Sequence, residues 1–157
     1  MSRRVLRGRP SDHPYLHKDF HGALSFALDY VEERMGREAL HDLLARVAQA
    51  IYSSLIDKAR EKGLSAMREH LCEMFSKEGG EFQVRCEGDE LVFRVQKCPA
   101  LSHMRDRGYR VARRFCETTR VVNETIARQV GWRASVEYDQ ERGACVQCFL
   151  VVHKERP

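Results

Sequence analysis

The segment KCPALSHMRDRGYRVARRFCETTRVVN, Lys97–Asn123, joins a predicted β-strand to a predicted α-helix, and the rest of the chain is organised around it. It carries two of the six cysteines, Cys98 and Cys116, together with a histidine and a glutamate. Pro99 lacks a strand hydrogen-bond donor and restricts the residue before it, so the strand should end with Cys98 at its carboxyl end. Ends of strands next to loops are common places for chemistry. We therefore expect this segment to form one wall of a small-molecule or metal pocket.

Two β-hairpins are predicted on either side of this segment. Residues Glu81–Lys97 alternate apolar and polar side chains around a Gly-Asp turn, which is typical of a hairpin. Residues Trp132–Asp139 and Ala144–Val152 alternate in the same way around a second turn. The chain should therefore contain a strand–strand–helix–strand–strand unit.

The cysteines of these strands are predicted from side-chain alternation. Cys86 shares the apolar face of the first strand, so we expect it in the core. Cys145 and Cys148 differ by an odd number of residues, and they should point to opposite faces of the sheet. The CVQC sequence is therefore not expected to act as a redox dithiol.

The apolar residues of the N-terminal half recur at the three-four spacing of amphipathic helices. The predicted helices run over Phe20–Met35, over Arg37–Lys62, from an N-cap at Ser65 to the glycines at 79–80, and, between the hairpins, over Arg110–Val130. The buried side of the second helix should include Leu43 and Ile51. The sequence predicts an α+β domain in which three N-terminal helices pack on an antiparallel sheet of two β-hairpins bridged by a helix.

Length and composition predict one ordinary globular domain. The 157 residues are 43% hydrophobic and 32% charged, which is typical of a chain that buries its own core. We assign residues 15–153 to the domain and residues 1–14 to a basic, flexible N-terminus. The arginines are interleaved with acidic residues and form no clustered basic stripe, so no nucleic-acid partner is expected. No apolar run of about 18 residues is present, so no membrane partner is expected either.

Six cysteines without a signal peptide indicate a cytoplasmic protein with reduced thiols. Cys98, Cys116 and Cys145 come from a strand end, a helix and a strand start, and three thiolates could hold zinc. The fourth ligand would be a water molecule or one of the side chains of His103, Glu117 and His21. Alternatively, Cys98 or Cys116 could be a nucleophile activated by a histidine. The remaining alternative is that all three are buried thiols.

The predicted helix before the second hairpin has a small, polar stripe. It includes Cys116 and Asn123, which lie two turns apart on one face. Such a stripe either packs closely against another backbone or borders a cavity. Glu117 and Arg120 have the spacing of a helix ion pair, so a solvated pair is the alternative to a role in the site.

Five short motifs lie between about residues 15 and 152. They are HKDFHGAL (His17–Leu24), EGGEF (Glu78–Phe82), KCPA (Lys97–Ala100), FCETTRVVNE (Phe115–Glu124) and YDQERGACVQCF (Tyr138–Phe149). Together they resemble the L-2-amino-thiazoline-4-carboxylic acid hydrolase-like family. The order hairpin–helix–hairpin with these cysteines also resembles the 4-vinyl-reductase domain, a small-molecule sensor that can hold zinc through cysteines.

The first resemblance implies a bacterial hydrolase that opens a thiazoline ring to give N-carbamoyl-cysteine. Water adds at the carbon between sulfur and nitrogen, and the ring sulfur leaves as a thiolate. The acid or base would be His21 or Glu117. The other candidate site residues are Cys98, Cys116 and Asn123 as catalytic groups, Arg120 and His103 as substrate-binding groups, and Cys98, Cys116 and Cys145 as ligands of zinc.

The partner expected for this chain is a small-molecule substrate or ligand. Long amphipathic helices often pair, so a homodimer is an arrangement that the sequence allows. The second resemblance implies the alternative function, a non-catalytic sensor that binds a small molecule or a metal. A third interpretation is a structural subunit with a vestigial pocket.

Overall fold

The computed structural model describes residues 17–153, and the predicted N-terminal segment 1–14 lies outside them. Within this range the elements are α1 (Phe20–Ile51), α2 (Ser53–Lys62), α3 (Leu64–Glu78), β1 (Glu81–Glu87), β2 (Glu90–Lys97), α4 (Pro99–Asp106), α5 (Glu117–Gln129), β3 (Trp132–Asp139) and β4 (Ala144–Val151). The four strands form one antiparallel sheet in the order β1-β2-β4-β3. The predicted α+β class, with helices first and two hairpins after them, is confirmed. No helix in the described range has an apolar stretch that could cross a bilayer.

Gly36 divides α1 into two arms. Its φ of 85° and ψ of 173° interrupt the helix in a backbone region that glycine reaches without the steric cost of a side chain. The predicted end of the first helix at this glycine is therefore confirmed. The predicted second helix is itself divided, because the second arm of α1 ends at Ile51 and α2 begins at Ser53.

The second arm of α1 buries a narrower stripe than the sequence predicted. Leu40, Leu44 and Ala48 are buried, whereas Leu43 and Ile51 are 41% and 68% exposed. The buried residues follow a strict four-residue spacing, and Leu43 and Ile51 lie outside this stripe. The prediction that Leu43 and Ile51 are buried was wrong.

The start of α3 also differs from the prediction. The helix begins at Leu64 with Gly63 at the N-cap, and the Ser65 hydroxyl donates a hydrogen bond to the main-chain oxygen of Lys62 at 2.7 Å. The single-residue connection from α2 leaves Ser65 inside the first turn, so it cannot be the N-cap. Gly79 adopts the left-handed conformation and ends α3 at the predicted place.

The largest difference lies between β2 and α5. One helix was predicted over Arg110–Val130, but two helices bridge the hairpins, and α5 begins only at Glu117. Pro99, predicted only as the end of β2, also occupies the first turn of α4, where its missing N–H has no cost. Cys98 therefore lies between the strand and α4, as the residue that precedes this helix.

The register of β2 and β4 determines which side chains face the helices. Leu91 pairs with Phe149, Phe93 with Gln147 and Val95 with Cys145. Leu91, Phe149, Phe93 and Gln147 are fully buried. Cys145 packs against the same core. Cys148 is one register position away from Gln147 and pairs with Val92, on the opposite face.

Cys86 is exposed, so the predicted core position for it was wrong. It lies near the end of the edge strand β1. Phe75 of α3 packs on Phe82 near the start of this strand. Val84 still packs against the core, but Cys86, two residues further on, does not.

The core has two parts. One lies between the inner face of the sheet and helices α2, α3 and α5, and the other is built mainly from α1 and α4 with the residues around Phe115. Cys98 packs against both parts. The end of β2 is therefore the place where the two parts of the core meet.

Candidate functional site

A cavity of about 210 Å³ lies where the two parts of the core meet. It is smaller than the roughly 300 Å³ that pockets for drug-sized molecules need, and its size suits a small ring compound. Apolar side chains from α1, α3 and α5, including Leu24, Met67 and Ile126, form much of its wall. The polar side chains in the wall are His21, Tyr52, His70, Glu78, Cys98, Thr118, Thr119, Asn123 and Gln147.

A histidine–glutamate pair forms one side of this cavity. His21, in the first turn of α1, has its Nε2 2.9 Å from Oε2 of Glu78, the last residue of α3. Both side chains are partly exposed, at 21% and 23%. Lys18 donates a hydrogen bond to the main-chain oxygen of Glu78 at 2.7 Å. The helix ends therefore hold the pair in a fixed position beside the cavity.

Only one member of this pair was predicted from the sequence. His21 was a predicted acid or base, whereas Glu78 entered only as the first letter of the EGGEF motif. The two residues are 57 positions apart, and neither has a local spacing that indicates the other. Only the packing of α1 against the end of α3 brings them together.

Two buried amides form another part of the wall. Asn123 of α5 donates from Nδ2 to Oε1 of Gln147 on β4 at 2.7 Å. Nε2 of Gln147 in turn lies 3.5 Å from the Cys145 sulfur. The Asn123 carbonyl oxygen makes no hydrogen bond to any residue between 17 and 153, so it remains available to a ligand. Asn123 was a predicted site residue, whereas Gln147 was not.

Thr118, one position after the predicted ion-pair residue Glu117, also lines the cavity. Its hydroxyl is the one fully buried side-chain polar atom without a hydrogen-bond partner in the described part of the chain. Leaving a buried hydroxyl unpaired costs about 1–3 kcal/mol. Because this oxygen is fully buried, a ligand in the cavity could pair with it only after the Thr118 side chain turns.

The three cysteines predicted to share a site do lie close to one another. Cys98 donates its main-chain N–H to the oxygen of Gly143 at 2.8 Å, which brings the end of β2 beside the start of β4. Burial, together with the nearby Cys98 and Cys145, raises the pKa of Cys116 to about 12. Cys98 alone of the three lines the cavity.

These thiols are protonated at neutral pH. Burial raises the pKa of Cys98, although the amides of Leu101 and Ala100 oppose it, and burial also raises the pKa of Cys145. In the described range, no group of three or more His, Cys, Asp or Glu side chains is arranged to hold a metal ion. Zinc therefore stays a prediction.

Glu117 lies in an ion cluster. Its side chain is 3% exposed, and it contacts Arg37 and Arg114 at 3.0 Å, Arg120 at 3.1 Å, and His41 at hydrogen-bond distance. Burial alone would raise the pKa of Glu117, but the His41 hydrogen bond and the charges of Arg120 and Arg37 outweigh it and lower the pKa. The Glu117–Arg120 pair exists, but it is buried at the carboxylate and not solvated.

The other predicted site residues lie away from the cavity wall. His103 is 2.9 Å from Asp19 Oδ1, to which the Tyr109 hydroxyl also donates at 3.1 Å. The main-chain N–H of Cys116 donates to the Gln140 side chain at 3.2 Å. Of the predicted site residues, His21, Cys98 and Asn123 meet in the cavity wall.

Comparisons with protein-family models, curated proteins and solved structures found no match to this chain. The resemblance to the thiazoline hydrolase-like family therefore stays a prediction. The cavity and its polar side chains are the features from which a function can be inferred.

Proposed function

We propose that this chain is a hydrolase that opens a small cyclic amidine or thiazoline-type ring, of the kind that converts 2-amino-thiazoline-4-carboxylate to N-carbamoyl-cysteine. The observation that carries this proposal is the His21–Glu78 pair in the cavity wall. A carboxylate hydrogen-bonded to an imidazole fixes the ring orientation and stabilises the imidazolium that forms when the ring takes a proton. A water molecule beside His21 would therefore have an oriented general base.

The reaction balances with these groups and water alone. His21 takes a proton from water, whose oxygen bonds to the ring carbon between sulfur and nitrogen. The C–S bond then breaks, and the proton goes from His21 to the sulfur, which leaves as a thiol on the opened chain. The second water proton leaves the oxygen as the carbamoyl C=O forms, and it goes to the ring nitrogen of a neutral amidine or to solvent from a protonated one. The free carbonyl oxygen of Asn123 is available to accept a hydrogen bond from the amidine nitrogen.

The proposal is tested with the variant His21→Gln. It should lower kcat by about 10²–10⁴-fold, the usual contribution of a general base, and leave ligand binding in place. Product formation from 2-aminothiazoline and from its 4-carboxylate is followed by mass spectrometry. The control is His153→Gln, which alters an exposed histidine that pairs with Asp89. Equal turnover by wild type and His21→Gln would show that His21 is not the general base. If wild type turns over neither ring, the hydrolase proposal is refuted.

A second candidate is a non-catalytic domain that binds a small molecule. The observation that favours it is the apolar wall with an unpartnered Thr118 hydroxyl and a protonated Cys98, since binding needs a shaped cavity but no nucleophile. Saturable binding that raises Tm, with the ligand recovered unchanged after long incubation, would support this candidate against the hydrolase. In that case, replacing Cys98 with Ser should lower the affinity for the ligand, and neither protein should show turnover.

Zinc on Cys98, Cys116 and Cys145 is tested separately by elemental analysis of tag-free protein with parallel thiol titration. About one zinc per chain, with these thiols protected until a chelator is added, would establish the site; independent reactivity of all thiols would refute it. The homodimer and the cytoplasmic location stay predictions.

A further inference from the structure

Glu78 has one carboxylate oxygen engaged and one free. Oε2 is bound to His21, whereas Oε1 makes no hydrogen bond to the part of the chain that the structure describes. Glu78 is also the last residue of α3, but its main-chain oxygen accepts a hydrogen bond from Lys18 at 2.7 Å, so the helix end itself adds little negative charge. The negative charge on this side of the cavity therefore comes from the Glu78 carboxylate.

The charge of Glu78 acts on other parts of the cavity wall. Burial is the main cause that raises the pKa of Tyr52 and of Cys98, and the charge of Glu78 raises both further. Tyr52 lies between α1 and α2, and Cys98 lies between β2 and α4. Both residues line the same cavity as Glu78, so the negative potential extends across it.

Cationic side chains do little to compensate this charge. Among residues 17–153, no lysine or arginine lines the cavity. Burial lowers the pKa of His70, the second histidine in the wall, so it is neutral at pH 7. Lys18 is the nearest bonded cation, and it donates to the main-chain oxygen of Glu78 and not to its carboxylate. Arg120, the predicted clamp for a substrate carboxylate, is paired with Glu117 outside the wall.

We propose that Glu78 selects ligands by charge: the cavity accepts a small ring with a protonated amidine and rejects the corresponding ring with a carboxylate. Oε1 accepts an amidine N–H while Oε2 holds His21. This inference rests on the proposed function for the identity of the site, and it narrows the substrate class to cyclic amidines without an acidic group. It therefore departs from the 4-carboxylate substrate that the family resemblance implies and that the proposed function names as its example.

Charge selection can be measured without any hydrolysis. Benzamidine, benzamide and benzoate have the same ring and carry a positive, a zero and a negative charge, and none contains a thiazoline. Calorimetric titration of the full chain should show benzamidine binding at least about tenfold more tightly than benzoate, as expected for a hydrogen bond to a charged group. Benzamide should lie between them. Equal binding of the three, tighter binding of benzoate, or no binding of any would overturn the inference.

Variants assign the effect to Glu78. Glu78→Gln should reduce the preference for benzamidine to less than about threefold, and Glu78→Asp, which keeps the charge, should retain most of it. His21→Gln should also retain the preference, which would separate the charge of Glu78 from its role in orienting His21. The control is Glu73→Gln, on the same helix, where the exposed glutamate pairs with Lys77. An unchanged preference in Glu78→Gln, with the fold verified by circular dichroism, would overturn the assignment.

The two proposals can fail independently. A preference for benzamidine with no hydrolysis of 2-aminothiazoline supports the charge selection and refutes the hydrolase. Hydrolysis of the 4-carboxylate at the same kcat/KM as 2-aminothiazoline supports the hydrolase and overturns the charge selection.

Discussion

Glu117 and Glu78 are two carboxylates that the fold treats in opposite ways. Glu117 is buried and surrounded by Arg37, Arg114 and Arg120 together with His41, so both oxygens are engaged. Glu78 is partly exposed to the cavity and has one histidine partner and one free oxygen. The first carboxylate ties the second arm of α1 to α5, whereas the second is available to a ligand.

The difference shows that a carboxylate can take part in chemistry when one of its oxygens is free and lies beside a cavity. Burial and many cationic partners keep Glu117 ionised, but they leave it no capacity to bind or move a proton for a substrate. A carboxylate with an unused oxygen beside a cavity keeps that capacity. By this criterion Glu78, and not the predicted Glu117, belongs to the candidate site.

The largest expected effect is on stability. Glu117→Gln leaves three arginines and a histidine without their common anion, and removing one partner from a buried ion cluster costs about 3–5 kcal/mol. Because half of the Arg37 side chain remains exposed to water, we expect the lower end, about 3 kcal/mol, in the free energy of unfolding measured with urea. The control is Glu124→Gln on the same helix, since Glu124 forms no ion pair with a described residue. A loss below about 1 kcal/mol would show that the cluster is not structural.

The same cluster should make stability depend on acid. The pKa of Glu117 is lower in the folded chain than its ordinary value of 4.5, so the folded state favours the ionised form. This contribution is present above pH 4.5 and is lost as the pH falls through the folded pKa. The difference in unfolding free energy between wild type and Glu117→Gln should therefore narrow below this pH. Urea titrations between neutral and acidic pH measure it, and a constant difference would contradict the shift.

Removing one cation should have a smaller effect. In Arg120→Met, Glu117 retains two arginines and His41, and Arg120 is partly exposed, so about 1 kcal/mol of unfolding free energy should be lost. The preference of the cavity for benzamidine should not change, because Arg120 does not line it. Arg128→Met, on the last turn of α5, is the control. A selective loss of benzoate or 4-carboxylate binding in Arg120→Met would instead support the predicted clamp.

Local patterns predicted most of the fold. Side-chain alternation located both hairpins and the opposite faces of Cys145 and Cys148, and glycines located the ends of the helices at 36 and 79. Errors arose where a residue has two local roles. Pro99 ends β2 and also begins α4. Because only its strand-ending role was predicted, α4 was missed. The exposure of Cys86 depends on how far α3 covers an edge strand, which no local pattern encodes.

The candidate site was predicted only in part for a similar reason. His21, Cys98 and Asn123 were found because their residue types and neighbours suggest chemistry. Glu78 and Gln147 were not, because each acquires its role from a partner far along the chain, at 57 and 24 positions. Conversely, Glu117 has a sequence context that suggests a site, yet its partners Arg37 and His41 come from α1 and saturate it.

The smallest expected effect is that of Glu78→Gln on the free energy of unfolding. Glu78→Gln removes the charge from a pair in which both side chains are partly exposed, and such pairs contribute about 0–1 kcal/mol. The amide can still bond to His21, so the free energy of unfolding should fall by less than about 1 kcal/mol in the same urea titration that detects the loss in Glu117→Gln. A larger loss would mean that the end of α3 depends on Glu78 for its packing against α1. Glu78 would then be a structural carboxylate like Glu117, and the distinction between a saturated and an available carboxylate would fail for this fold.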